Sequence, residues 1–222
     1  FNSKPDATAL VFRGESTLYS QLAFEVRKQI EWLKIQGISP GTPVILYGDY
    51  SPLSVSMLLA LIEQCCIIIP ITPVTFESIQ ESIKEIAPAF VIDVTGNTAK
   101  LKKLQLMHTP DLYQIIIDRK VPGLVIFTSG SSGKPKAVVH DFSKLIKKYH
   151  VTRSAMITLN FLLFDHWGGL NTMFHILSNN GVVISTKDRS PRNICRLIEQ
   201  YRIELLPASP TFLNLLLLSE AY

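Results

Sequence analysis

The residues with the clearest chemistry lie in one short loop, TSGSSGKPKA, which runs from Thr128 to Ala137 and follows an apolar run at 123–127. Its glycines let backbone N–H groups approach a ligand closely, and successive N–H groups can form an anion-binding concavity. Its hydroxyls add donors for phosphate oxygens, and its lysines add positive charge. The loop therefore predicts a polyphosphate site. The expected binding residues are Thr128, Ser129, Gly130, Ser131, Ser132, Gly133, Lys134 and Lys136.

Two other interpretations of this loop can be weighed from its spacing. A Walker phosphate-binding loop needs a glycine five residues before its Gly-Lys pair and a Ser or Thr directly after it. Thr128 holds the first of these positions and Pro135 follows Lys134, which disfavours a phosphotransferase of that class. A Gly/Ser-rich linker has a similar composition, but linkers rarely lie between two buried, strand-like runs.

The elements around the loop alternate between strands and helices. Strands are predicted at 44–48, 65–71, 89–94, 113–118, 124–128, 181–186 and 203–209, with a continuation at 138–139. Helices are predicted at 15–36, 51–64, 75–86, 98–107, 141–150, 168–177 and 190–201, and from 210 onward. Ser51 and Thr75 are expected as helix N-caps. The alternation predicts an α/β fold with layered, mostly parallel sheets flanked by helices. In such sheets ligands bind beyond the carboxyl ends of strands, where this loop lies.

The composition narrows the classes of function. The chain has 222 residues, 47% of them hydrophobic, and a net charge of +4, which suits a packed globular protein. Nucleic-acid binding would require a basic stripe with interleaved aromatic residues, and a transmembrane segment would require about 20 mostly apolar residues; neither is predicted. Cys65, Cys66 and Cys195 form no disulfide framework and no CxxC zinc motif. Reduced thiols favour a cytoplasmic location.

The loop with its flanks, FTSGSSGKPKAVVH at 127–140, resembles the phosphate-binding signature of adenylate-forming, AMP-binding enzymes. This superfamily includes acyl-CoA synthetases, luciferases and the adenylation domains of peptide synthetases. Its usual signature is T-S-G-[ST]-[TS]-G-x-P-K-G, and only Ala137 departs from it. Further similar stretches follow in the family's order at 16–52, 58–73, 162–177 and 204–217. Within them, Thr42 and Gln64 replace the usual Asp and Gly.

The resemblance implies an ATP-dependent, AMP-forming acid–thiol ligase. In such a ligase, a carboxylic acid attacks the α-phosphate of ATP, with Mg²⁺ as cofactor, to give an acyl-adenylate and pyrophosphate. Coenzyme A, or the phosphopantetheine arm of a carrier protein, then accepts the acyl group. In the family the signature loop holds the β- and γ-phosphates. No catalytic residue and no metal ligand are expected within these 222 residues.

The stretch FDHWGGLN at 164–171 resembles the border of the acyl pocket in the ligases, which makes His166, Gly168 and Gly169 expected substrate residues. It favours an acyl- or aryl-CoA ligase of fatty acid metabolism over a peptide-synthetase adenylation domain. The roles of His166 and Asp165 each have two possible interpretations. His166 either lines the acyl pocket or thiol tunnel or is a core histidine, and Asp165 either orients His166 or caps the following turn.

The later motifs of the family, including the adenine- and magnesium-binding stretch and the catalytic lysine, are not found in residues 1–222. The chain is therefore interpreted as the N-terminal part of the AMP-binding large domain, expected to form two interleaved α/β lobes without the C-terminal domain. A non-catalytic nucleotide-binding module is the alternative if Tyr222 is the true C-terminus. Residues 1–222 by themselves are expected to form no acyl-adenylate.

The phosphate assignment predicts the effect of Lys136→Ala in the full-length protein. A charge-assisted contact is worth about 1.5–3 kcal/mol, so losing it near the leaving phosphates should slow ATP–pyrophosphate exchange by about 10- to 150-fold. Exchange assays with a saturating acid substrate would measure this. An unchanged exchange rate would contradict the assignment of the loop.

Overall fold

The computed structural model describes residues 4–83, 85–105, 108–128 and 135–221. The chain divides into two compact units, each built from separate stretches of sequence. Unit 1 comprises Phe1–Leu22, Tyr149–Leu163 and Gly168–Tyr222. Unit 2 comprises Ala23–Lys148 and Phe164–Trp167.

The helices and strands alternate along most of the described chain. The strands are β1 (Thr8–Phe12), β2 (Glu15–Leu18), β3 (Pro43–Tyr47), β4 (Ile67–Ile71), β5 (Phe90–Asp93), β6 (Lys100–Lys103), β7 (Gly123–Thr128), β8 (Lys136–Asp141), β9 (Ile157–Leu159) and β10 (Val182–Ser185). The helices are α1 (Tyr19–Ile35), α2 (Pro52–Glu63), α3 (Phe76–Ile83), α4 (Asp111–Asp118), α5 (Phe142–Leu145), α6 (Trp167–Ser178), α7 (Pro191–Tyr201) and α8 (Pro210–Leu218), and a 3₁₀ helix spans Ile146–His150. None of the helices described is long and apolar enough to cross a membrane.

Unit 1 contains a four-stranded sheet in the order β2-β1-β10-β9. Strands β1, β10 and β9 run parallel, and β2 returns antiparallel to β1 through the two-residue turn Arg13–Gly14. Both turn residues have positive φ, 54° and 82°, which is the geometry that favours Asn-Gly in tight hairpins. An apolar cluster formed by strands β1, β9 and β10, the segment after β9 and helix α7 builds the core. Its buried members are Val11, Leu159, Phe161, Ile184, Ile194 and Leu197.

Unit 2 contains a six-stranded sheet in the order β6-β5-β3-β4-β7-β8. The inner strands β5, β3, β4 and β7 run parallel, and β6 and β8 pair antiparallel at the two edges. All five residues of β4 are buried, as expected for a parallel strand covered on both faces. Ser51 caps α2 as predicted, because its Oγ accepts a hydrogen bond from the Ser54 N–H at 3.0 Å. These mostly parallel sheets with flanking helices confirm the predicted fold class.

Two of the predicted elements are wrong in type. Residues 98–107 were expected to be helical, but 100–103 form the edge strand β6, in which Leu101 pairs with Ile92 between lysines that face away from the core. Lysines are common on edge strands because they discourage further pairing. Residues 113–118 were expected to be a strand but belong to α4. Its buried Tyr113 and Ile116 are three residues apart, a helical spacing that the run of isoleucines obscures.

Two further differences arise from strand pairing. Residues 15–18 precede α1 as strand β2, because pairing with β1 overrides the helical spacing that continues from α1. Residues 203–209 form no strand, and only Leu205 makes an isolated bridge, to Thr158. The remaining predicted strands and helices agree with the structure to within a few residues at their ends.

The close packing around Gly181 predicts a stability effect. A Cβ atom at this position would lie 2.5 Å from the Met156 carbonyl oxygen, so Gly181→Ala forces a backbone shift. Such overpacking costs about 1–3 kcal/mol, which should lower the apparent Tm in a thermal melt. Gly96→Ala is the matched control, because nothing lies within 4 Å of its Cβ position. Equal melting temperatures for the two variants would contradict the packing described here.

Candidate functional site

The predicted phosphate loop connects β7 and β8, which form an antiparallel hairpin. Thr128 and Lys136 are paired across its base, and the Thr128 hydroxyl donates to the Lys136 carbonyl oxygen at 3.4 Å. On the far side of the loop, the Pro135 carbonyl oxygen accepts a hydrogen bond from Ser82 Oγ of α3 at 3.3 Å. The expected residues Ser129, Gly130, Ser131, Ser132, Gly133 and Lys134 lie outside the described residues. The loop leads into a strand, whereas a Walker loop leads into a helix.

The segment after β9 places a buried carboxylate beside a partly exposed imidazole. Asp165 is only 6% exposed, and its Oδ1 lies 2.9 Å from His166 Nδ1. Its Oδ2 accepts hydrogen bonds from the Thr72 N–H (2.9 Å), the Thr72 hydroxyl (3.0 Å) and the Thr75 hydroxyl. Every hydrogen bond described for this carboxylate therefore goes to His166 or to the two threonines. Asp165 orients His166 and does not cap α6.

The hydrogen bonds shift the pKa values of both residues of this pair. Burial by itself would raise the pKa of Asp165, but the hydrogen bonds from His166, Thr75 and Thr72 outweigh it and lower the pKa below its ordinary value. The hydrogen bond to Asp165 raises the pKa of His166, burial opposes this, and the negative charge of Asp165 adds to the increase. The His166 side chain is 55% exposed. The pair thus presents a partly exposed imidazole, with a raised pKa, that is hydrogen-bonded to a buried carboxylate.

A cavity of about 290 Å³ in unit 2 joins this pair to the base of the phosphate loop. Residues from α3, from both ends of the loop and from the 164–167 segment line it: Thr75, Ser78, Ile79, Phe127, Thr128, Pro135, Asp165 and His166. The structure therefore brings two of the predicted site residues, Thr128 and His166, to one space. Lys136 follows the lining residue Pro135 but is not itself among the lining residues.

The predicted substrate residues Gly168 and Gly169 do not line this cavity and belong to unit 1. They form the first turn of α6, where the Gly169 carbonyl oxygen accepts a hydrogen bond from Asn160 Nδ2 at 3.0 Å. The Gly168 carbonyl oxygen accepts from the Thr172 hydroxyl at 2.9 Å. Both carbonyl groups are thus engaged within unit 1.

Sequence reasoning missed the role of Thr72 and Thr75. Thr75 was expected to cap the helix that follows it, but its hydroxyl donates instead to the Asp165 carboxylate, 90 residues away in the chain. No hydrogen bond from an N–H of α3 to the Thr75 hydroxyl is described, and the oxygen accepts instead from the Thr72 N–H at 3.3 Å. The only sequence signal for these two residues is the spacing Thr-x-x-Thr directly after β4. Such a short pattern does not predict that both residues bind Asp165.

The arrangement is suited to bind an anion. His166, Thr128 and Ser78 line the cavity, and a ring N–H of His166 can donate a hydrogen bond to a carboxylate or phosphate oxygen. In the part of the chain that the structure describes, no three His, Cys, Asp or Glu side chains are grouped to hold a metal ion. Mg²⁺ usually binds through one or two carboxylates together with the phosphates of the substrate, an arrangement that needs no such group.

Solved structures show the same fold. The o-succinylbenzoate CoA synthetase of Bacillus subtilis matches with a TM-score of 0.74 at 15% identity, over 98% of this chain and 49% of its own. The NpsA N-terminal subdomain of Klebsiella oxytoca matches with a TM-score of 0.72 at 18% identity, over 91% of this chain and 56% of its own. The model of the AMP-binding enzyme family matches residues 1–222. The chain belongs to the AMP-binding enzyme family.

Curated relatives of this AMP-binding chain include ligases and synthetases. The D-alanine--D-alanyl carrier protein ligase of Staphylococcus epidermidis is 24% identical over 233 residues, which cover 97% of this chain and 47% of the relative. The dimodular nonribosomal peptide synthase of Bacillus subtilis is 24% identical over 97% of this chain and 10% of its own length. The chain thus spans about half the length of the first relative and a tenth of the second. The resemblance drawn from the signature is confirmed.

The ion pair predicts the titration of His166. In Asp165→Asn the carboxylate charge is lost, so the pKa of His166 should fall from its raised value toward the ordinary 6.5. Because the folded-state pKa is raised, the stability that His166 contributes is fully present below about pH 6.5 and is lost as the pH rises through the folded-state value. NMR titration of the histidine ring protons would measure the shift.

Ser78→Ala is the matched control for this titration. Ser78 lines the same cavity, but its hydroxyl donates to the Thr75 carbonyl oxygen at 2.7 Å and not to Asp165. The pKa of His166 should therefore stay raised in this variant. An equal decrease in both variants would show that a general change in the cavity, and not the carboxylate, sets the titration.

Proposed function

We propose that this protein is an AMP-forming ligase that activates a carboxylic acid with ATP and passes the acyl group to a thiol. The observation that carries the proposal is the unit 2 cavity, which His166 and Thr128 share. Thr128 is the first residue of the phosphate-binding signature and His166 is the predicted substrate residue. An acid bound at His166 therefore lies next to the phosphates held at the loop.

In this proposal the loop residues hold the β- and γ-phosphates of ATP. Thr128 is fixed at the end of β7 by pairing with Lys136, so the start of the loop is anchored beside the cavity. Lys136 carries the positive charge at the other end of the hairpin. Fixed donors and charges of this kind stabilise the charge that develops on the leaving pyrophosphate without reorganising during the reaction.

His166 attracts the acid substrate and holds it in position. The buried Asp165 raises the pKa of His166, and its hydrogen bond to Nδ1 leaves Nε2 of the ring to face a ligand. A charge-assisted hydrogen bond from this nitrogen would hold a carboxylate oxygen toward the loop. Binding the acid and the phosphates at adjacent positions converts a bimolecular attack into a near-intramolecular one. The prediction that Gly168 and Gly169 contact the substrate stays a separate proposal, because neither residue lines this cavity.

Coenzyme A remains the proposed acceptor, on the basis of the FDHWGGLN stretch at 164–171. A carrier protein is the second candidate, because one relative is named a D-alanyl carrier protein ligase and another a nonribosomal peptide synthase. The two acceptors present the same phosphopantetheine thiol and differ in what surrounds it. The choice therefore concerns the surface that receives the acceptor and leaves the adenylation chemistry unchanged.

A reducing compartment, the cytoplasm, is the proposed location. All three cysteines, Cys65, Cys66 and Cys195, are free. Burial raises the pKa of the Cys66 thiol to about 12, which keeps it protonated and unreactive. Free thiols in this state support a location in which disulfides are not maintained.

Substitution of His166 in the full-length protein tests the adenylation step. Loss of a charge-assisted contact worth about 1.5–3 kcal/mol should lower kcat/KM for the acid in ATP–pyrophosphate exchange by about tenfold or more in His166→Gln. His150→Gln is the control, because His150 is exposed and lies outside the cavity. Exchange would be screened over aliphatic, aromatic and amino acids.

Thioester formation identifies the acceptor in the same preparation. Coenzyme A and a phosphopantetheinylated carrier protein would be offered separately, and the acyl-thioester would be detected by mass spectrometry. Exchange with no acid in the screen, or equal exchange rates in His166→Gln and the native protein, would overturn the proposed site. A thioester formed only on the carrier protein would reassign the acceptor and leave the adenylation proposal intact.

A further inference from the structure

A second cavity, of about 410 Å³, lies entirely among residues of unit 1. Its floor is apolar and includes Val11, Ile184 and Leu197, and its rim carries the cationic side chains Arg13, Lys187 and Arg196. The volume is within the range of about 300–1,000 Å³ typical of small-molecule sites. None of these residues belongs to the phosphate-binding signature or to the unit 2 cavity.

The guanidinium of Arg196 is held in position by neutral side chains. Arg196 Nη1 donates to Gln200 Oε1 at 2.7 Å, and Nη2 donates to Asn193 Oδ1 at 2.8 Å. Asn193 is itself fixed, because its Nδ2 donates to the Asp188 carbonyl oxygen at 2.7 Å and to Thr186 Oγ1 at 3.1 Å. The guanidinium of Arg196 is therefore oriented by amide oxygens that do not neutralise its charge.

The second cation occupies a backbone position that rarely carries a long side chain. Arg13 is the first residue of the two-residue turn between β1 and β2 and has a φ of 54°. Asn, Asp or Gly normally fills this position, because a larger side chain is strained at positive φ. The one packing contact described for its guanidinium is with the Phe12 ring, at 5.2 Å. The turn thus places Arg13 among the residues that line the cavity.

The third cation projects from a loop with fixed ends. Lys187 lies between Thr186 and Asp188, and the Asp188 N–H donates to Thr186 Oγ1 at 3.2 Å. The Ser190 N–H donates to Asp188 Oδ1 at 2.9 Å, which holds the loop against the start of α7. Asp188 is the single carboxylate among the lining residues, so three cations and one anion leave a net charge of +2.

We propose that the unit 1 cavity binds a phosphate monoester. The phosphate group lies between Arg13, Lys187 and Arg196, and the organic group covers the apolar floor. A phosphate monoester carries a charge of about −1.5 to −2 at neutral pH, which balances the net charge of the cavity. Arginine forks match phosphate oxygens better than they match a single carboxylate oxygen, and the preorganised Arg196 loses little side-chain entropy on binding.

Phenyl phosphate tests this proposal in the full-length protein, because its ring suits the floor and its phosphate suits the rim. Isothermal titration calorimetry should show one saturable site that weakens as salt is added. Arg196→Gln and Lys187→Gln should each weaken binding about tenfold or more. Phenol, which lacks the phosphate, should not bind at this site.

Two variants of matched charge distinguish binding in the unit 1 cavity from binding elsewhere on the protein. Arg192→Gln removes an exposed cation from the same helix, outside the cavity, and should leave the affinity within about twofold. Lys136→Ala weakens binding only if phenyl phosphate occupies the signature loop in unit 2. The absence of saturable binding, equal weakening by Arg192→Gln, or a loss caused by Lys136→Ala and not by Arg196→Gln would each overturn the proposal.

Discussion

The geometry of the unit 2 cavity depends on the buried carboxylate of Asp165. Burying an isolated charge costs several kcal/mol unless it is paired and hydrogen-bonded. Three donors from Thr72 and Thr75, together with the imidazole of His166, meet that requirement. Because the threonines follow β4 and the acid lies 93 and 90 residues after them, the same contacts tie two distant segments together. The orientation of His166 is a consequence of this arrangement.

The parallel pairing of β4 with β7 explains why the carboxylate and the phosphate loop meet. Ile67 and Ile68 pair in parallel with Gly123 and Leu124, so both strands end at the same edge of the sheet. Thr72 begins the connection after β4, and Thr128 begins the loop at the end of β7. The two apolar strands thereby place the threonine that binds Asp165 and the phosphate-binding loop at one edge of the sheet, although these segments are far apart in the sequence.

Local chemistry could be predicted from the sequence, but partners distant in the chain could not. The strands β3, β4 and β7 are continuous apolar runs, and Ser51 followed by Pro52 is a strong local signal for the start of α2. The 113–118 run failed because isoleucines suit both a strand and a buried helix face. The role of Thr75 could not be found, since a Thr directly before a helix is typical of a local cap, whereas its hydroxyl donates to a carboxylate 90 residues away.

The basic side chains of the two cavities have different hydrogen-bond partners, a carboxylate in unit 2 and neutral amides in unit 1. This difference bears on the charge of the ligand proposed for each cavity. In unit 2 the imidazole of His166 is hydrogen-bonded to the Asp165 carboxylate, so a counter-charge lies directly beside it, and the ligand proposed for this cavity is a singly charged acid. In unit 1 the guanidinium of Arg196 is oriented by the amide oxygens of Gln200 and Asn193. Its charge remains uncompensated by these partners, and with two further cations on the rim it suits a dianion. In the two proposals, the counter-charge within each cavity therefore determines whether the cavity binds a carboxylate or a phosphate monoester.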